Sequence, residues 1–110
     1  FLYDAETKEL FSRVMQGNAM GEVRFPADRG IAGSVFTSGR GEIIPDAYAD
    51  PRFNRKVDTD TGYRTRNILC VPIRNKKQAV IGVTQALNKR EGGFDAEDQQ
   101  LLEGLSSQAA

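Results

Sequence analysis

The sequence predicts an α+β domain: an antiparallel sheet of about six strands with helices on its faces. Three observations carry that prediction. Ile68-Leu69-Cys70-Val71-Pro72-Ile73 and Ala79 to Leu87 are apolar, β-branched runs joined by the polar turn Asn75-Lys76-Lys77-Gln78, the pattern of two buried strands paired as a hairpin at the sheet centre. Lys8 to Val14 alternates, with Leu10, Ser12 and Val14 on one side and Phe11, Arg13 and Met15 on the other, which marks a half-buried strand. Two other stretches carry helical spacing instead: Ile31, Val35 and Phe36, and then Leu101, Leu102, Leu105 and Ala109.

The elements follow in order. Phe1-Leu2-Tyr3-Asp4 reads as a strand, Ala5-Glu6-Thr7 as a turn, and the alternating stretch completes a hairpin. Gln16 to Gly21 reads as a loop, and Glu22 to Phe25 as a short strand closed by Pro26. From Gly30 the spacing predicts a helix of about two turns, stopped at Gly39, where a helix C-terminus favours positive φ. Gly41 to Ile44 is a brief strand ended by Pro45. Residues 46–67 carry no clean period and mix five basic side chains (Arg52, Arg55, Lys56, Arg64, Arg66) with four acidic ones and three aromatic rings. A stretch this long is functional or hides short helices. After the central hairpin, Asp95 caps a last helix, with Glu97 and Asp98 suited to its positive N-terminal end. The absence of a leader and the helical composition of Ser106 to Ala110 give the expectation of a single domain, residues 1–110, excised from a larger protein with its terminal helices truncated.

Composition removes several functions. The 110 residues hold 15 basic and 15 acidic side chains, so the formal net charge is zero, which argues against a nucleic-acid protein. There is no apolar run near the roughly 20 residues that span a bilayer. One Cys excludes an internal disulfide and makes a cytoplasmic setting the default. With no His, His-based triads, metal sites and haem ligation drop out.

Few residues could carry chemistry. Gly30-Ile31-Ala32-Gly33 opens a helix with free backbone N–H groups, an anion site in form; taken alone, the motif more often means a tight turn and close packing. Thr61 and Thr65 are spaced i, i+4, so a helical turn would set both hydroxyls on one face, with Asp58 three residues before Thr61. That trio suits a ribose-phosphate, although local capping is the commoner use of isolated Thr and Asp. Cys70 reads as a buried structural thiol. Gln85, on the Ile81/Val83/Leu87 face, must satisfy a carboxamide among apolar neighbours; it could read the edge of a base or bond to the covering helix. Lys89 and Asp98 could pair and fix the last helix on the sheet.

The ordered set Gly30-Ile31-Ala32-Gly33, Ile44-Pro45-Asp46-Ala47-Tyr48, Asp50-Pro51-Arg52-Phe53, Thr61 to Cys70 and Asn88-Lys89 to Phe94 to Asp98 resembles GAF domains, in particular the cyclic-nucleotide-binding GAF domains of phosphodiesterases and bacterial adenylyl cyclases. The resemblance covers almost the whole chain. Its last motif is Asn-Lys-(gap)-Phe-x-x-x-Asp-Glu, here with Gln99 in the final place. The resemblance implies a GAF/PAS-like fold and a regulatory module, not an enzyme, with a cyclic nucleotide buried between the sheet and the long segment. Backbone N–H groups at Ile31 and Ala32 and the Thr65 hydroxyl would meet the phosphate. Asp58 and Thr61 match positions near ribose and phosphate, and Gln85 a base-contacting position where Gln leans toward adenine. Asn88, Lys89, Phe94 and Asp98 match a structural clamp outside the ligand.

Relatives carry an aromatic that stacks on the base, followed by Asp; the matching places here are Met15 and Gln16. Stacking is worth about 1–3 kcal/mol and a Met sulfur on a ring about 0.3–1.5, against about 8 kcal/mol for a micromolar ligand. The change weakens binding or shifts its specificity. The expected function is thus a sensor of cAMP in preference to cGMP, without cofactor or metal, relaying to an output domain such as an adenylyl cyclase or phosphodiesterase and dimerising through flanking helices. The alternative is a ligand-free dimerisation or relay module of a kinase or transcription regulator. Methionine sulfoxide reduction needs several cysteines, and a bilin needs an exposed one; neither fits Cys70.

Overall fold

The computed structural model describes residues 1–16, 19–53, 55, 59, 62, 64–89 and 92–109, with side chains outside 13–21 and 108–109. Six strands form one sheet: β1 (Leu2–Asp4), β2 (Glu9–Gln16), β3 (Ala19–Pro26), β4 (Glu42–Ile44), β5 (Ile68–Arg74) and β6 (Val80–Leu87), in the order β3-β2-β1-β6-β5-β4 with every pair antiparallel. Two α-helices are described in full, α1 (Gly30–Ser38) and α2 (Ala96–Ala109), and Arg55 and Thr59 are also helical. The α+β class and the six-stranded sheet match the sequence prediction. β5 and β6 pair in register from Ile68↔Leu87 to Ile73↔Gly82, as their apolar runs require, and β6 lies beside β1 at the middle of the sheet.

One boundary differs. β2 continues to Gln16 and β3 starts at Ala19, with Met15 opposite Met20 and Gln16 opposite Ala19, so most of the stretch read as a loop over Gln16 to Gly21 is strand. Gly21 and the two Met residues obscure the alternation, and cross-strand pairing supplies what local pattern does not.

α1 forms where predicted. Gly30 has φ 72° and Gly39 φ 70°, and the Gly39 N–H closes the helix on the Val35 carbonyl at 2.9 Å. Gly33 is required by contact: a Cβ there would lie 2.8 Å from the Asp28 carbonyl carbon and 2.9 Å from the Ala27 oxygen. Ile31, Ala32 and Val35 enter one core with Leu10, Ile44, Ile68, Cys70 and Val83.

α2 is seated differently from the prediction. Asp95 caps it as expected: its Oδ1 accepts the Asp98 N–H at 2.9 Å while Asp98 Oδ2 accepts the Asp95 N–H at 3.0 Å. Only part of the predicted apolar stripe docks: Leu102 turns inward, whereas Leu101 is 64% and Leu105 55% exposed. Gln99, Glu103 and Ser106 turn inward with Leu102, and Ser106 is buried. Polar contacts set this rotation. Lys89 Nζ donates to Asp98 at 2.7 Å, Ser106 Oγ to Thr84 Oγ1 at 3.0 Å, and Gly41 leaves the space that Gln99 and Glu103 occupy.

Candidate ligand-binding site

A cavity of about 810 Å³ opens between the N-terminus of α1 and the face of the sheet that carries Gln85. Its wall includes Gly30, Ile31 and Ala32 from α1, Thr65 and Ile68 from the segment entering β5, and Thr84, Gln85 and Leu87 from β6. Four predicted site residues, Ile31, Ala32, Thr65 and Gln85, therefore share one cavity although 54 positions separate the first from the last by number. Phe25 and Phe53 add aromatic wall, and Arg24 and Arg29 are the charged side chains among the described lining residues. Arg24 is already held by Asp4 at 3.0 Å and Glu22 at 2.7 Å, whereas Arg29 forms no ion pair among the described residues. A second hollow of about 570 Å³, lined by Arg40, Arg74, Gln99 and Glu103 among others, contains none of the predicted ligand residues.

Thr65 is buried, in irregular backbone rather than on a helical turn, so the i, i+4 helical placement with Thr61 is not formed at its end. Asp58 and Thr61 lie outside the described residues. Met15 and Gln16 sit near the far end of β2, with their side chains outside the description. Gln85 does not bond to the covering helix: its Nε2 donates to Cys70 Sγ, 3.7 Å away on the neighbouring strand. Cys70 is fully buried, and burial pushes its thiol up to about 12, far from the low-pKa state of a reactive cysteine.

The described ends of the 46–67 stretch, which reach the cavity through Phe53 and Thr65, are both anchored. At its entry a 3-10 turn at Ala47–Ala49, capped by Asp46, leads to Arg52, whose guanidinium spends all its donors. Nη1 reaches Ser34 on α1 at 3.0 Å and Glu42 on β4 at 2.9 Å, Nη2 reaches Glu42 at 2.9 Å and Asp50 at 2.7 Å, and Nε reaches Asp50 at 3.0 Å. Hydrogen bonding to Arg52 holds both carboxyls below their ordinary pKa values. The next residue is Phe53, so this fork fixes an aromatic on the cavity wall. Tyr48 stacks under Arg55 and Arg64, whose guanidinium carbons lie 4.9 and 4.6 Å from its ring, folding the segment on itself.

At its exit the anchor is Asn88, in the left-handed region at φ 59°. Asn88 Oδ1 accepts the N–H groups of Arg66 and Asn67, and Nδ2 donates to the Arg64 carbonyl at 3.0 Å, bracketing Thr65. Asn67 returns the contact, bonding the Lys89 carbonyl at 3.0 Å and its N–H at 2.9 Å. Lys89 then pairs with Asp98, so the predicted clamp of Asn88, Lys89 and Asp98 links the cavity segment to α2; Phe94, the fourth predicted member, is half-buried. The sequence reading missed the Arg52 fork. Asp50-x-Arg52 was its local trace, but Ser34 and Glu42 meet it only through folding. Among the described residues there is no cluster of metal-ligating side chains, and no helix is long and apolar enough to cross a membrane.

Comparison with known proteins agrees with this architecture. The probable 3′,5′-cyclic phosphodiesterase pde-5 of Caenorhabditis elegans is 39% identical over 115 residues, spanning 94% of this chain and 16% of that protein. A free methionine-R-sulfoxide reductase of Neisseria meningitidis, solved with its substrate, superposes with a TM-score of 0.73 at 26% identity, over 96% of this chain and 59% of that one. The GAF domain of an Acinetobacter phosphoenolpyruvate-protein phosphotransferase gives a TM-score of 0.68 at 18% identity, over 97% and 63%, a likeness of fold. The GAF domain family model matches residues 2–110, and the chain belongs to that family of regulatory domains.

Proposed function

We propose that this GAF domain, residues 1–110, binds a 3′,5′-cyclic nucleotide, cAMP in preference to cGMP, and relays occupancy to an output domain such as a phosphodiesterase or adenylyl cyclase in a longer, cytoplasmic parent protein. The observation that carries this reading is the convergence of Ile31, Ala32, Thr65 and Gln85 on one cavity of about 810 Å³. Helix N–H groups at Ile31 and Ala32 and the Thr65 hydroxyl suit a phosphodiester monoanion, with the base toward Gln85 and Leu87. Charge supports the same ligand: two arginines and no carboxylate line the cavity among the described residues. The phosphodiesterase relative makes a cyclic nucleotide the natural choice of anion. Asp58 and Thr61 complete the proposed ligand set, with Met15 and Gln16 replacing the stacking aromatic and its neighbour. The sulfoxide-reductase likeness is not carried over as chemistry, because this chain has a single cysteine, buried and held protonated.

Calorimetric titration tests the reading. Saturable heat with cAMP at micromolar to submillimolar concentration, weaker heat with cGMP and a rise in melting temperature are expected. No heat and no thermal shift with either nucleotide at millimolar concentration would overturn it. A second reading, a ligand-free dimerisation module, is favoured by the exposed Leu101 and Leu105 pair on α2. It predicts self-association in sedimentation that Leu101→Glu with Leu105→Glu abolishes; a monomer that binds cAMP excludes it.

A further inference from the structure

We propose that Cys70 sets the hydrogen-bonding polarity of Gln85, so that the cavity offers the ligand's base a carbonyl oxygen and selects a base edge carrying an N–H group. This inference rests on the cyclic-nucleotide reading and names how that site would recognise the base. Cys70 and Gln85 are directly opposed in the β5–β6 register, and both side chains lie on the α1 face of the sheet. Gln85 lines the cavity; Cys70, fully buried, does not. The Gln85 Nε2 donates to Cys70 Sγ, which ties the nitrogen end of the carboxamide to the buried neighbour. Oε1 has no recorded partner among the described residues and is the end left for the cavity. A carboxamide turned over would reverse the selection: the thiol would donate to Oε1, and the free NH₂ would favour a base edge carrying a carbonyl.

For an adenine ligand, the complement of Oε1 is the 6-amino group. Guanine also carries N–H groups, at N1 and at its 2-amino group, so cGMP is a poor probe of this contact. The 6-position isolates it. Three ligands suffice: cAMP, the purine riboside 3′,5′-cyclic monophosphate that lacks a 6-substituent, and 1-methyl-cIMP, which has a 6-carbonyl and no N–H on that edge.

Affinities of the wild-type domain for the three ligands are measured by calorimetry and repeated with Cys70→Val and Cys70→Ser. Wild type is expected to bind cAMP about 5- to 10-fold tighter than the unsubstituted analogue, the scale of one net hydrogen bond, and 1-methyl-cIMP no tighter than that analogue. Cys70→Val removes the sulfur acceptor at similar volume and should cut the cAMP preference to under about 3-fold, while Cys70→Ser keeps an acceptor and keeps most of the preference. A Cys70 that serves only packing would lower all affinities together and leave the ratio unchanged, which overturns the proposal. So does tighter binding of 1-methyl-cIMP than of the unsubstituted analogue by wild type, a result that stands even where Cys70→Val fails to fold. Either outcome leaves cyclic-nucleotide binding intact. If wild type binds none of the three, the functional reading and this inference fall together.

Discussion

The two helices are seated with different balances of apolar burial and polar contact. α1 is held by burial: Ile31, Ala32 and Val35 sit in one core with Leu10, Ile68 and Val83, and Gly33 lets the helix backbone approach its own preceding turn. α2 packs on β5, whose Leu69 and Val71 are fully buried, with Leu102 turned inward. It is oriented by polar contacts of Asp98 with Lys89 and of Ser106 with Thr84, while Leu101 and Leu105 remain in water. Burial fixes a position over many atoms and resists displacement, as a ligand-facing helix N-terminus requires. The hydrogen bond and the exposed ion pair that orient α2 are each worth little, so this helix, with two leucines left in water, should shift at smaller cost than α1. In a sensor, the first kind of helix suits recognition and the second suits transmission.

The contrast is broken most strongly in the core. Leu10→Ala, at a fully buried position of the α1 cluster, should lower unfolding stability by about 2–5 kcal/mol in denaturant titration. The matched change on α2, Leu105→Ala, should stay within about 0.5 kcal/mol, because its side chain is mostly in water already. Equal losses at the two sites would refute the distinction.

Between these lies Asn88. Asn88→Gly keeps the left-handed backbone and removes the side-chain bonds to Arg64, Arg66 and Asn67. A loss of about 1–3 kcal/mol is expected, with faster amide hydrogen exchange at 64–67 and weaker cAMP binding through Thr65. Unchanged exchange there would show that Asn88 does not hold the segment.

The smallest effect is electrostatic. Hydrogen bonding to Lys89 holds the Asp98 carboxyl below its ordinary value of 3.8, as Arg52 does for Asp50. A depressed carboxyl contributes stability above its unfolded pKa and loses it as pH falls through the lower folded value. Melting temperature should therefore hold from pH 7 to about 5 and decline below about 4. Asp98→Asn should flatten a small part of that decline, and added salt should act in the same direction. An identical acid profile in wild type and variant would remove the ion pair from the account.

Much of this was legible because it depends on local pattern. The apolar runs of β5 and β6, the Gly39 stop and the Asp95 cap each express a rule spanning a few residues. Spacing also pointed to the Lys89–Asp98 pair. The rotation of α2 was not legible: the Leu101/Leu105 stripe is a valid helical face, and only contacts from Thr84, Lys89 and the gap at Gly41 turn it outward. Nor was the Arg52 fork, whose partners Ser34 and Glu42 lie 18 and 10 residues away. The motif that names Asn88 gave it a structural role without revealing that it brackets Thr65.

By itself, then, the sequence determined the α+β class, the six strands and helices α1 and α2, the family and the identity of candidate ligand residues, since periodicity, capping and motif order are properties of the chain read in one dimension. Only the tertiary structure decided that Ile31, Ala32, Thr65 and Gln85 face one cavity, that the Gln85 amide is tied to Cys70, and which side of α2 meets the sheet. Those outcomes depend on contacts between segments far apart in sequence, where a single hydrogen bond or a missing Cβ chooses between arrangements that local pattern leaves equally open.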